Sequence, residues 1–176
     1  MLPLTSLFEI TKRSPRPYKS LVAPTGAAGG RGTAFIEDPA NAGKALEADG
    51  SAPIAGFVTR PILVGGPTLA DAIMPNRTDL PFTDGDYISL EHAEEVEAEG
   101  YDPANVNGFL YSGTGGNAAK TITAATTIGT RCSFRNGQFS VAVTGDYSEW
   151  LLQEIKPPMV AGNVRARFVL IEGQKV

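Results

Sequence analysis

The sequence carries one cysteine (Cys132), one histidine (His92) and one tryptophan (Trp150) in 176 residues. A lone cysteine excludes an intramolecular disulfide framework, so nothing in the fold asks for an oxidising compartment. One histidine and one distant cysteine do not make the ligand set of a zinc site. They also leave general-base chemistry without its commonest base. No stretch approaches the roughly 20 apolar residues of a membrane span, and Met1–Ser14 lacks an uninterrupted apolar core of signal-peptide length before its charges. The expectation is a soluble protein made in the cytoplasm, with no membrane partner. Charged residues make up only 19%, below the roughly 25% typical of globular domains, as on a surface that a partner partly covers. The net charge of −4 argues against general affinity for nucleic acid, which needs clustered Lys and Arg.

What is present is glycine (20), proline (13) and β-branched and aromatic residues, within a hydrophobic fraction of 42%. A chain of this length buries one substantial core, and frequent turns with few long amphipathic runs favour short strands over helices. The charges are unevenly placed. Met1–Val22 holds Lys12, Arg13, Arg16 and Lys19 against Glu9, a net of +3, which leaves 11 basic and 18 acidic residues, a net of −7, for Ala23–Val176. Pro3, Pro15, Pro17 and Pro24 bias this N-terminal segment toward extended backbone. An extended segment cannot bury Leu4, Leu7, Phe8, Ile10 and Tyr18 within itself, so it docks on its own domain or on a neighbour. The expected organisation is an N-terminal arm over 1–22 and one β-rich domain over 23–176. The candidate partner-binding residues are Leu7, Phe8, Ile10, Arg13, Arg16 and Tyr18.

Along the body, Thr33–Glu37, Ile54–Val58 and Ile62–Val64 read as short strands bounded by Gly or Pro. Asp38–Ser51 reads as one helical turn or as a loop with a short strand, and Gly65–Asp84 as a long surface loop of the kind that carries function. Tyr87–Glu99 fits both a helix and strands; the turn residues Asp84-Gly85-Asp86 tip the reading to a hairpin turning near His92, with its five glutamates on a solvated face. Val106–Tyr111, Arg131–Phe134, Gln138–Val143, Trp150–Ile155 and Val164–Ile171 complete the strands. Asn136-Gly137 supplies a type I′ hairpin turn, since both residues tolerate positive φ. Phe139, Val141 and Val143 alternate with Ser140 and Ala142, and Val164, Ala166, Phe168 and Leu170 with Arg165 and Arg167, each giving one apolar face. Nine or ten short antiparallel strands without long helices make a mainly β fold, a compact β-barrel or β-sandwich with an extended arm.

The motifs that could carry chemistry each have a plainer reading. His92 lies among carboxylates that favour its charged form, as a surface histidine does. Cys132 sits on an expected strand as a buried, inert thiol. Gly113–Thr121 ends in Lys120-Thr121 as a phosphate-binding loop does, but Ala119 stands where Gly is required. Gly26–Gly32 lacks the dinucleotide spacing. Asp146 and Glu149 near Trp150 have the composition of a glycosidase pair but read as a turn Asp and a surface Glu. Asp79, Asp84 and Asp86 lack the EF-hand pattern. No cofactor, metal or catalytic residue is expected.

The runs Gly32–Glu37, Gly43–Gly50 and Ile54–Val58, with Cys132–Phe139 and then Gly145-Asp146-Tyr147, resemble the small head decoration (cement) proteins of tailed bacteriophages. The resemblance is one of style, short β segments divided by glycines over most of the chain. It implies a compact barrel-like fold and a structural virion protein that binds the outside of an assembled capsid. The implied partners are the major capsid protein and copies of itself, a trimer being the common state. Two other classes stay open, a non-catalytic glycan- or protein-binding β-module and a small β-barrel enzyme.

Overall fold

A computed structural model of the chain describes residues 8–24, 32–62, 87–100 and 109–176. These residues are mainly β, with eleven strands and one 3₁₀ helix over Gly115–Lys120. The strands are β1 (Phe8–Arg13), β2 (Lys19–Val22), β3 (Ala34–Glu37), β4 (Ala45–Glu47), β5 (Gly56–Ile62), β6 (Tyr87–Glu91), β7 (Ala93–Gly100), β8 (Arg131–Arg135), β9 (Gln138–Val141), β10 (Tyr147–Lys156) and β11 (Val164–Lys175). They form two antiparallel sheets, one of order β1-β7-β11-β10-β8-β9 and one of order β2-β6-β5-β3-β4. The chain, read from sequence as one domain over 23–176, divides into two compact units. The six-stranded unit comprises Met1–Ser14, Ala48–Pro53 and Ala93–Val176; the five-stranded unit comprises Pro15–Glu47 and Ile54–His92.

The six-stranded unit is built on aromatic rings. Phe139 of β9 stacks on Phe168 of β11 with ring centroids 4.0 Å apart, and meets Trp150 of β10 edge-on at 5.5 Å. Val96, Ala98, Leu152 and Ala166 are buried in the same unit. The Asn136-Gly137 turn joins β8 to β9 as expected, with φ of 51° and 71° at its two residues. The predicted strand over Val106–Tyr111 falls partly outside the described residues. Its described end makes only a bridge, Leu110 with Phe139, supported by Tyr111 N–H donating to Phe139 O at 2.7 Å.

The five-stranded unit packs Leu21, Phe35, Val58, Ile88 and Leu90 with three alanines, Ala23, Ala45 and Ala55. Of Ile54–Val58 and Ile62–Val64, read as two strands, Gly56–Val58 and Ile62 lie in the single strand β5, which has a register shift between Val58 and Arg60. Pro61 pairs with Ile88 of β6, and among the described residues β3 meets β5 only at Gly56 and Phe57, so no described strand calls on the N–H that Pro61 lacks on its other side. Val22 at the end of β2 bridges to Lys44 beside β4, and its N–H donates to Gly43 O at 2.9 Å. The outermost strands of this sheet therefore touch at one end. Asp38–Ser51 takes the loop-and-strand alternative, with β4 inside it.

Tyr87–Gly100 corrects the hairpin reading. Both strands exist and break at His92, but β6 pairs in the five-stranded sheet and β7 in the six-stranded one. A single intervening residue cannot reverse the chain, since the tightest hairpin loops need two. The predicted loop over Gly65–Asp84 lies outside the described residues.

Candidate interaction surface and buried charge cluster

The described part of the expected arm is built into both sheets. Phe8–Arg13 pairs with β7, and Lys19–Val22 pairs with β6, each as the outermost strand of its sheet. Leu7 lies outside the described residues. Phe8, expected at a partner surface, is buried and tilts against Phe109 at 5.4 Å, so its ring is spent on its own unit. Ile10 is half-buried opposite Val96. Polar neighbours bind the strand further: Thr11 Oγ1 donates to Glu95 at 2.7 Å, and Lys12 pairs with Glu94 at 2.7 Å.

The remaining candidates point to solvent. Arg13 is exposed at the end of β1, in the six-stranded unit. In the five-stranded unit Pro15, Arg16, Pro17 and Tyr18 are exposed in sequence, Tyr18 by 55%. The local potential there is positive. Burial, then the charges of Arg16 and Lys19, lower the pKa of His92. This reverses the expected direction, because burial opposes the charged imidazole and the cations on β2 and its approach add to that effect. Lys19 in turn pairs with Glu37.

The glutamate run is the second correction. Glu91, Glu97 and Glu99 are buried, not solvated. Glu97 on β7 lies directly opposite Arg167 on β11, and Glu99 opposite Arg165. Both oxygens of Glu97 are engaged: Oε1 accepts from Lys156 Nζ and from Arg167 Nη2 at 2.9 Å, and Oε2 accepts from Arg165 Nη2 at 2.6 Å. Burial alone would raise the Glu97 pKa, but the hydrogen bonds of Lys156, Arg167 and Arg165 outweigh it and hold the group at about 2. Glu99, fully enclosed, accepts from the N–H groups of Met159 and Val160, both at 3.0 Å, and from Asn163 Nδ2 at 2.8 Å. It thereby fixes the loop between β10 and β11. The signal for this cluster was in the sequence as two period-2 stripes, Glu95-Glu97-Glu99 and Arg165-Arg167. Each stripe alone reads as a solvated face.

The other candidates settle into structural positions. Burial pushes the Cys132 thiol up to about 12, so it stays protonated at neutral pH. Asp146 pairs with Arg135 and accepts Val143 N–H at 3.0 Å, the work of a turn aspartate. Gly113–Thr121 carries the 3₁₀ helix in place of a strand-to-helix phosphate loop. Among the described residues no three His, Cys, Asp or Glu side chains come together as a metal site; Asp79, Asp84 and Asp86 lie outside them. No family model, no curated protein and no solved structure matches this chain.

Proposed function

We propose that the chain is a structural virion protein that binds the outside of an assembled phage capsid and stabilises it, as a homo-oligomer, with a trimer as the expected state. The observation that carries the reading is the exposed segment Pro15–Tyr18, proline-stiffened, basic and tipped by an aromatic ring. Proline lowers the entropy lost on docking, and Arg and Tyr are the residue types that most often anchor interfaces. The strand that follows the segment, β2, is paired with β6 in the five-stranded sheet, which supports a stiff mounting of the kind a shell-bracing protein needs. A compact barrel-like body, which the resemblance implies, is consistent with the touching end strands of the five-stranded sheet.

The test is made on virions from a host that produces this chain. The protein is expected on the outer surface of purified particles, accessible to antibody, and added protein should co-sediment with stripped capsids and raise their resistance to heat. Arg16→Glu with Tyr18→Ala should abolish most of that binding without altering circular dichroism. Point substitutions are required because removing Met1–Val22 also removes β1 and β2. Failure of the intact protein to appear on particles or to bind capsids overturns the reading. A non-catalytic glycan-binding module is the second reading, favoured by the exposed rings of Tyr18 and Tyr87 in the five-stranded unit; binding to a glycan array, lost in Tyr18→Ala, would select it.

A further inference from the structure

The hairpin turn between β8 and β9 combines three features. Asn136 is exposed and holds φ of 51°, and the residue after it is a glycine. Gly137 is buried, and its N–H donates to Ala48 O at 2.9 Å. Ala48 begins the six-residue excursion 48–53 that belongs to the six-stranded unit while the residues flanking it belong to the other.

This excursion is a strap fastened at successive residues. Beyond the Gly137 bond, Tyr147 N–H donates to Gly50 O at 2.7 Å. Arg135 donates to Asp49 O while it is ion-paired to Asp146. Gly50 itself holds φ of 85°, and a Cβ there would stand 2.7 Å from Ser133 Oγ and would collide with the Arg135 guanidinium. Only glycine lets the strap lie so close to β8.

An asparagine followed by glycine is open to a particular reaction. The glycine backbone nitrogen, on losing its proton to solvent base, adds to the asparagine side-chain carbonyl carbon. The Cγ–Nδ2 bond breaks, ammonia leaves after taking up a proton, and a succinimide ring remains. Water then opens either carbonyl to give aspartate or isoaspartate. The sum consumes one water, releases one ammonia and involves no oxidation or reduction. Glycine speeds the reaction because no Cβ obstructs ring closure.

We propose that Asn136 is a deamidation site of this protein and that the Ala48–Gly50 strap holds it closed. The N–H that must lose its proton to act as nucleophile is the one that buried Gly137 donates to Ala48 O. The reaction therefore proceeds through an opened state in which the strap has lifted, and its rate reports the population of that state.

The full-length chain is incubated at mildly alkaline pH, native and in denaturing urea, and digested. Peptide mapping must separate Asn136 from the chain's other Asn-Gly pair, Asn107-Gly108, and isoaspartate is quantified at each. Deamidation at Asn136 is expected to be about tenfold or more slower in the native chain than in the unfolded one, the factor set by an opening cost of about 1.4 kcal/mol or more. Gly50→Ala should loosen the strap and bring the native rate severalfold closer to the unfolded one. Should that variant not fold, amide hydrogen exchange at Gly137 in the unaltered chain gives the second readout: across sub-denaturing urea, exchange and deamidation should rise together. Equal native and unfolded rates overturn the proposal, as does a deamidation rate that ignores both the Gly50 substitution and the exchange of Gly137.

Discussion

In the five-stranded unit the strands are secured by Leu21, Phe35, Val58, Ile88 and Leu90, and Glu91 is the one buried charged residue among those described. In the six-stranded unit Glu97, Glu99 and Asp146 are buried beside a core of stacked rings. Apolar packing is indifferent to exact partner and tolerates alternatives. A buried carboxylate is not, because a slip of one residue between β7 and β11 would carry Glu97 and Glu99 to the aromatic side and strand Arg165 and Arg167 without partners. The difference teaches that one sheet is fixed by how much surface it buries and the other also by which strand position meets which.

Four experiments press on that comparison. The largest effect is expected from Glu97→Ala, which leaves Lys156, Arg165 and Arg167 around a vacated anion and should cost about 3–5 kcal/mol at neutral pH in urea unfolding. The cost should depend on pH. The Glu97 carboxyl falls from 4.5 to about 2 on folding, so its contribution, about 3 kcal/mol, is complete above pH 4.5 and is lost as pH falls from there toward 2. The variant and the unaltered protein should converge at the acid end; a gap that stays constant to pH 2 would show that Glu97 is held by shape and not by charge. Leu90→Ala in the other unit should cost about 2–3 kcal/mol by leaving a cavity, with no such pH dependence over the same range.

Cys132 gives a finer readout. Buried on β8 with its thiol at about 12, it should resist a thiol reagent in the native protein and react once the six-stranded unit opens. Glu97→Ala should speed labelling, and equal acceleration by Leu90→Ala would mean that the two units open together. The smallest effect belongs to Glu37→Gln. Its pKa is lowered first by the Lys19 hydrogen bond, but both partners are exposed, and the melting midpoint should move by no more than about 2 °C.

Much of the strand pattern was legible because it is local. The alternation through Val164–Leu170 and the Asn136-Gly137 turn each lie within a few residues, and both appear where they were read. Which strand goes to which sheet was not legible, since the break at His92 looks the same in sequence whether the chain doubles back or passes to another sheet. Nor was the burial of Glu97 and Glu99. Their hydrogen-bond donors, cations for Glu97 and backbone and amide N–H groups for Glu99, lie about 60 to 70 residues away, and a Glu-Val-Glu-Ala-Glu run has one appearance in solvent and another beneath two arginines. Phe8 shows the same limit from the other side, as an apolar residue on an extended segment whose partner ring, Phe109, is a hundred residues on.

Among the described strands β1 pairs with β7 alone, which sets an order of events during synthesis. Every residue of the five-stranded unit is made before Ala93, so that sheet has all its described strands while the other still lacks β7. Phe8–Arg13 leaves the ribosome first among the described strands and then waits, with its hydrogen-bonding edge unmet, until some eighty residues later its partner emerges. Beyond β7 the six-stranded sheet must wait again for β11, which alone joins β7 to β10. A chain arrested between β7 and β8 would carry one finished sheet and one solitary ribbon, a species open to pairing with its like.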